Sequence, residues 1–241
     1  MDAAAANAFA IPPVSVHRPT TFVEDAITLA AGVWLLVGTY VDGWAHNNLH
    51  DLETFFTPWH AVLYSGFAAC ALWLAALTWR RHAPGVRWTE AVPVGYGAAA
   101  AGVVLFLASG AADFAWHTVF GIEQNLKALF SPSHLGLATG GFLILSAPFS
   151  AAWHSPGRSW LQLVSAFVSA MLSGMVAAFI LQEFAVFARH GLVQTYTGSA
   201  AQATVTVPTS SSIMVALGSF FISTVVLFVP ILLLSLRWRL F

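Results

Sequence analysis

The sequence predicts an all-α integral membrane bundle of about six transmembrane helices, on three observations. The chain is 58% hydrophobic and 8% charged, with mean hydropathy +0.76, whereas a soluble domain carries about 25% charged residues. Six apolar runs reach the roughly 20 residues that a bilayer crossing needs. These runs are continuous rather than alternating, and an isolated strand in lipid would leave its backbone unpaired, so the spans are helices.

In chain order, residues 1–21 read as a cytoplasmic N-terminal segment. They are Ala-rich and contain proline, without the apolar core of a signal peptide. The first span is too long to be such a core and is expected to be retained. Span one is placed near Ala26–Ala45 and span two near His60–Trp79, giving a hairpin unit over 22–80. Span three is placed near Ala91–Trp116, where Gly95, Gly97 and Gly102 allow close helix approach. Span four follows near His134–Trp153, completing a second unit over 91–153. Span five (Trp160–Gln182) and span six (Ser212–Ser235) fill 160–241, joined by a polar external loop near 190–211. Pro230 is expected to kink span six. The whole, 1–241, is a single membrane domain.

Basic residues orient the bundle. With the N-terminus inside, Arg18, Arg80, Arg81, Arg87, Arg158, Arg237 and Arg239 fall on the cytoplasmic side and only Lys127 and Arg189 on the other. Both termini are then cytoplasmic, in a bacterial-type inner or plasma membrane. Trp44, Trp59, Trp116, Trp153 and Trp160 lie near span ends as interface anchors. Cys70, the single cysteine, permits no internal disulfide and reads as a packing residue, as do Met171 and Met175. A net charge of −1 with no basic stripe excludes a nucleic-acid role.

Two stretches carry the chemistry. The first runs Asp42-Gly-Trp-Ala-His46, then Glu53, then Phe56-Thr-Pro-Trp-His60; the second runs Asp113-Phe-Ala-Trp-His117, then Glu123, then Phe130-Ser-Pro-Ser-His134. Asp113 and His117 stand at one and the same offset from Asp42 and His46, and Glu123 follows Glu53 at an offset one shorter. Asp-x3-His puts both side chains on one helix face. Pro-x-His suits the first turn of the returning span. Each hairpin thus offers Asp-His-His at the outer interface, and two out-and-back units of the same orientation make a parallel repeat. The two sets form neighbouring sites or converge on one. Two imidazoles and a carboxylate suit copper, zinc, iron or nickel, and the lack of paired cysteines disfavours a thiolate site. Glu53 and Glu123 complete coordination, hold an outer shell or face solvent. Glu183 is a further ligand or proton acceptor, and His50 lacks a counterpart in the second stretch.

These residues resemble the copper-ligand segment in one membrane subunit of the copper membrane monooxygenases, the family of particulate methane and ammonia monooxygenase. By that resemblance Asp42, His46 and His60 match a copper site. Asp113, His117 and His134 match a second one, with Asp113 where the family carries Asn. The likeness runs from about Asp42 to Leu137, less than half of the chain. Within it, the interval from His117 to His134 is longer than that from His46 to His60. The resemblance implies a subunit that oxidises a small apolar molecule or ammonia with O₂, with Glu123 or Glu183 delivering protons and with further membrane subunits as partners. Two alternatives stand beside it. One is a non-catalytic protein that binds or delivers metal at the outer face. The other is another membrane metalloenzyme, such as a diiron oxidase on a shared site. The middles of spans one to four hold few polar residues, which counts against a transport path.

Overall fold

The computed structural model of the chain describes residues 18–49, 55–120, 129–182 and 210–238. Among these it contains helices and no strand: α1 (Phe22–Asn48), α2 (Pro58–Arg81), α3 (Trp88–Ala91), α4 (Gly97–Phe120), α5 (Pro132–Leu145), α6 (Ala147–His154), α7 (Trp160–Ile180) and α8 (Ser210–Trp238). Six spans are long and apolar enough to cross a membrane, α5 and α6 together counting as one. The architecture is that of an integral membrane protein.

Helix starts follow from local chemistry. The Thr21 hydroxyl accepts the Glu24 N–H, and the Glu24 carboxylate returns to the Thr21 N–H, a capping box that opens α1. Thr57-Pro58 and Ser131-Pro132 open α2 and α5 in one manner. The hydroxyl caps the helix by accepting from the N–H of His60 or of His134, and proline occupies the first helical position. Each cap therefore holds a histidine at a fixed place in the first turn.

The helices pair as hairpins, α1 chiefly with α2 and α4 chiefly with α5, while α7 lies against α1, α5 and α6 and α8 against α7. Glycine sets the first crossing: a Cβ on Gly38 would meet Leu63 Cα at 2.5 Å, and one on Gly66 would meet Leu35 Cα at 2.7 Å. In the second hairpin a Cβ on Gly140 would meet the Gly102 carbonyl at 2.8 Å and Phe106 N at 2.9 Å. Small residues let backbones approach in this way where lipid supplies no hydrophobic drive between helices. Gly140 is spaced from Gly66 as His134 is from His60, and Phe106 from Leu35 as Asp113 is from Asp42, so the close contacts keep the register of the ligands. Between the hairpins, the Phe67 and Phe106 rings stack at 4.4 Å and 12°.

Two span boundaries differ from expectation. Span three begins at Gly97 rather than Ala91, because Pro93 lacks an N–H for the helical ladder and Gly95 takes the left-handed φ of +85°. The bare Gly95 backbone lies directly against the backbone of Ala151 on α6. Span four is interrupted at Ser146, two residues before Pro148. There the buried Ser169 hydroxyl of α7 enters the ladder. It donates to the Leu145 carbonyl at 2.5 Å and accepts from the Phe149 N–H at 3.0 Å, bridging a donor and acceptor that an unbroken helix would pair directly. Pro230 lies within α8. Met171 and Met175 differ too: both are half-exposed on α7 rather than packed in the core.

The end of the bundle away from the repeated histidines has its own polar ties. Tyr96 Oη donates to Asp25 Oδ1 at 2.9 Å and stands 3.0 Å from Thr28 Oγ1, which also accepts from Trp73 Nε1 at 3.0 Å. Arg81 pairs with Glu24 at 2.8 Å. Arg237 donates to the carbonyls of Trp153, Ser155 and Gly157, just where α6 ends.

Candidate metal centre

The helix ends bring six predicted ligands together. Asp42 and His46 lie on the last turns of α1 and His60 on the first turn of α2; Asp113 and His117 occupy the end of α4 and His134 the start of α5. In each hairpin the three ligand atoms lie within 4.8 Å of one another. In the first, His46 Nε2 is 3.4 Å from His60 Nε2, and the Asp42 carboxylate stands 3.8 Å from the former and 3.4 Å from the latter. In the second, Asp113 Oδ1 alone faces both imidazoles, His117 Nε2 at 3.6 Å and His134 Nε2 at 3.5 Å. Ligand atoms about 2.0–2.1 Å from a common ion stand roughly 3.3–3.6 Å apart in trigonal or tetrahedral geometry. The first triangle, and the two carboxylate–imidazole sides of the second, are close to that spacing.

The triangles adjoin. His46 stacks on His117 at 6.2 Å and 19°, and stands 6.3 Å from His134. His60 and His117 are 6.2 Å apart, as are His117 and His134. Four imidazoles and two carboxylates thus form one cluster across the two hairpins.

Hydrogen bonds outside the triangles aim the rings. His60 Nδ1 lies 2.5 Å from the Phe55 carbonyl, which only accepts. The neutral ring therefore carries its proton on Nδ1, and Nε2 presents a lone pair to the cluster. His134 Nδ1 lies 2.9 Å from Ser131 Oγ, which is 3.0 Å from Ser133 Oγ, and Ser133 donates to Asp113 Oδ1 at 2.9 Å. His46 Nδ1 and the Tyr64 hydroxyl are buried with no hydrogen-bond partner among the described residues. Unpaired polar atoms in an apolar bundle are costly.

Phe55 covers the cluster, its ring 4.6 Å from His60 and 5.1 Å from Phe114. Asp42, His46 and His134 open on a cavity of about 110 Å³ whose other walls include Leu63, Phe106 and Val176. That is room for several waters or one small molecule, far below the several hundred Å³ of a typical organic-ligand pocket.

No family model, curated protein or solved structure matches the chain. The site therefore rests on its own geometry.

Glu53, Glu123, Glu183 and His50 lie outside the described residues. His82 and His154 sit at the other end of the bundle, His82 stacked on Trp88 at 3.8 Å and His154 bonded to the Ser150 carbonyl. Four contributors had escaped attention in the sequence. Ser131 and Ser133 stand inside the Phe-Ser-Pro-Ser-His stretch itself. Tyr64 follows His60 by one helical turn, a spacing that brings it to the same face. The Phe55 carbonyl leaves no sequence signal, since any residue carries one.

Proposed function

We propose that the protein binds transition metal, copper in the first instance, at the four-histidine, two-aspartate cluster. The observation that carries this reading is the pair of Asp-His-His triangles at ligand spacing, fused by the stacking of His46 on His117. Two further features support it. The Phe55 carbonyl turns the His60 lone pair inward, as outer partners of metal-binding imidazoles do. Intramembrane ionisable groups are expensive and are retained chiefly where they act. The donors are nitrogen and oxygen throughout, which suits copper(II), zinc or iron and gives no thiolate preference. Copper bound there would supply O₂ activation. The chain itself would hold the ion, keep bulk water out with Phe55 and Phe114, and admit a small molecule through the apolar cavity. On this reading it is an integral membrane subunit resembling those of the copper membrane monooxygenases, working with other membrane subunits on a small apolar substrate or ammonia.

The ends of the helices support an orientation. Every described arginine (Arg18, Arg80, Arg81, Arg87, Arg158 and Arg237) lies at or beyond the helix ends opposite the histidine cluster. By the positive-inside tendency that end is cytoplasmic and the cluster faces outward. A second reading, metal binding or delivery without oxygen chemistry, uses the same ligands.

Elemental analysis of detergent-purified protein tests the binding. Copper at about one or two ions per chain, lowered in His46→Ala and in His117→Ala, is the expected result, on the rule that removing a ligand opens the site. Iron or zinc held by the same histidines would move the assignment to another metalloenzyme. No metal after reconstitution would refute it.

A further inference from the structure

We propose that the two halves of the cluster are unequal, and that Ser133, as a positioning residue, makes the Asp113–His117–His134 half the tighter metal site. This rests on the metal-binding reading above. An ionised Asp113 only accepts hydrogen bonds, so the proton between it and Ser133 belongs to Ser133. With its proton committed there, Ser133 Oγ accepts from Ser131, 3.0 Å away. Ser131 Oγ must then accept from His134 Nδ1 at 2.9 Å. One closed chain of three bonds thus fixes the His134 tautomer, leaves its Nε2 lone pair facing the cluster, and holds the carboxylate oxygen that faces both imidazoles. Asp113 is 2% exposed and both serines are buried, so the chain is shielded from competing water.

The other half also has one aimed ring, His60 through the Phe55 carbonyl, but among the described residues its carboxylate has no hydroxyl donor. Aligning His60 with His134 sets Thr57 and Trp59 against Ser131 and Ser133. The Thr57 hydroxyl caps α2 as Ser131 caps α5, but Trp59 has no hydroxyl to offer Asp42. The two Asp42 oxygens face the imidazoles of His46 and His60, one to each, and among the described residues His46 Nδ1 has no hydrogen-bond partner. Asp42, His46 and also His134 line the cavity, whereas Asp113 and His117, each with a side chain 2% exposed, do not. Ligands aimed in advance bind more tightly, and outer hydrogen-bond partners are worth about 10- to 100-fold in metal affinity. The half braced by Ser133 fills first, and the other exchanges.

Copper(II) titration of metal-free protein in detergent, read by competition with a chelator and by electron paramagnetic resonance, tests this. Wild type should take up two ions in two separated phases. The first should give the spectrum of an isolated ion, and the second should broaden it through coupling to a near neighbour. Ser133→Ala should weaken the first phase by about 10- to 100-fold and leave the second in place. Ser133→Thr, which keeps the hydroxyl, should restore it, separating positioning from damage to the fold. A single affinity for both ions, or an equal effect of Ser133→Ala on both phases or on neither, would overturn the inequality while leaving metal binding intact. A wild-type protein that binds no copper at all would remove both.

Discussion

At the scale of residues, the two polar centres separate what holds the bundle from what it is proposed to bind. Tyr96 is 1% exposed and its hydroxyl joins Asp25 to Thr28 at the end away from the histidines. Tyr96→Phe keeps the ring and removes the bond, leaving Asp25 Oδ1 without its donor. The expected loss is about 1–3 kcal/mol of stability, seen as a lower Tm in detergent, with metal content unchanged. A fall in metal content would show that the two ends are coupled. The ligand triplets themselves were legible, because Asp-x3-His and Pro-x-His each imply a position on a helix turn. Asp25, Tyr96 and Ser169 were not. A polar residue in an apolar run does not announce its partner, and here each partner lies on another element, far along the chain.

At the scale of elements, each close contact makes its own demand. A Cβ on Gly66 or Gly140 would press on the backbone of the facing helix, which has no side chain to swing aside, whereas one on Gly174 meets nothing within 4 Å. Gly66→Ala and Gly140→Ala should each lower stability by about 1–3 kcal/mol, as overpacking does. Gly174→Ala should leave it unchanged or raise it, through better helix propensity. Thermal melts of the three variants, side by side, check the contrast. Ser169→Ala would orphan the Leu145 carbonyl and the Phe149 N–H inside the bundle, at about 1–3 kcal/mol; Ser169→Thr, which can donate and accept alike, should retain more. Hydropathy located all six spans, since length and apolarity are local properties. It misjudged the start of span three, where Val92–Tyr96 is apolar enough to pass for helix although Pro93 and the left-handed Gly95 forbid it. The break in span four went unread, although Pro148 stands beside it, and the hydroxyl that repairs it comes from another helix.

At the scale of the whole molecule, the one offset that relates Asp42 and His46 to Asp113 and His117 pointed to two hairpins of one kind without saying which faces meet. That choice depends on packing across the bundle, and it decides whether there are two sites or one cluster. The proposed orientation is open to a direct check in a Cys70→Ala background. Phe56, 82% exposed at the histidine end, and Thr89, exposed at the arginine end, each become cysteine in turn. A membrane-impermeant maleimide added to intact cells should label Phe56→Cys and spare Thr89→Cys; the reverse pattern would invert the protein. If metal binds the folded cluster, it also stabilises it by mass action, by about 2.7 kcal/mol at a free concentration 100 times Kd. Melting temperature should then climb with added copper in wild type and climb less in His117→Ala, which keeps only the Asp42–His46–His60 half.

The stacking of His46 on His117 has a mechanical consequence. Each ring belongs to a different hairpin, and the backbones of those hairpins cross closely within each pair rather than between them. An ion in each half would pin the ring on its own side of this contact, like rivets along both margins of a seam, and so steady the two leaves at one edge. Stripped of metal, the protein should open there first, and amide exchange at the ends of α1 and α4 should quicken while the far edge, clasped by Tyr96 on Asp25, stays shut.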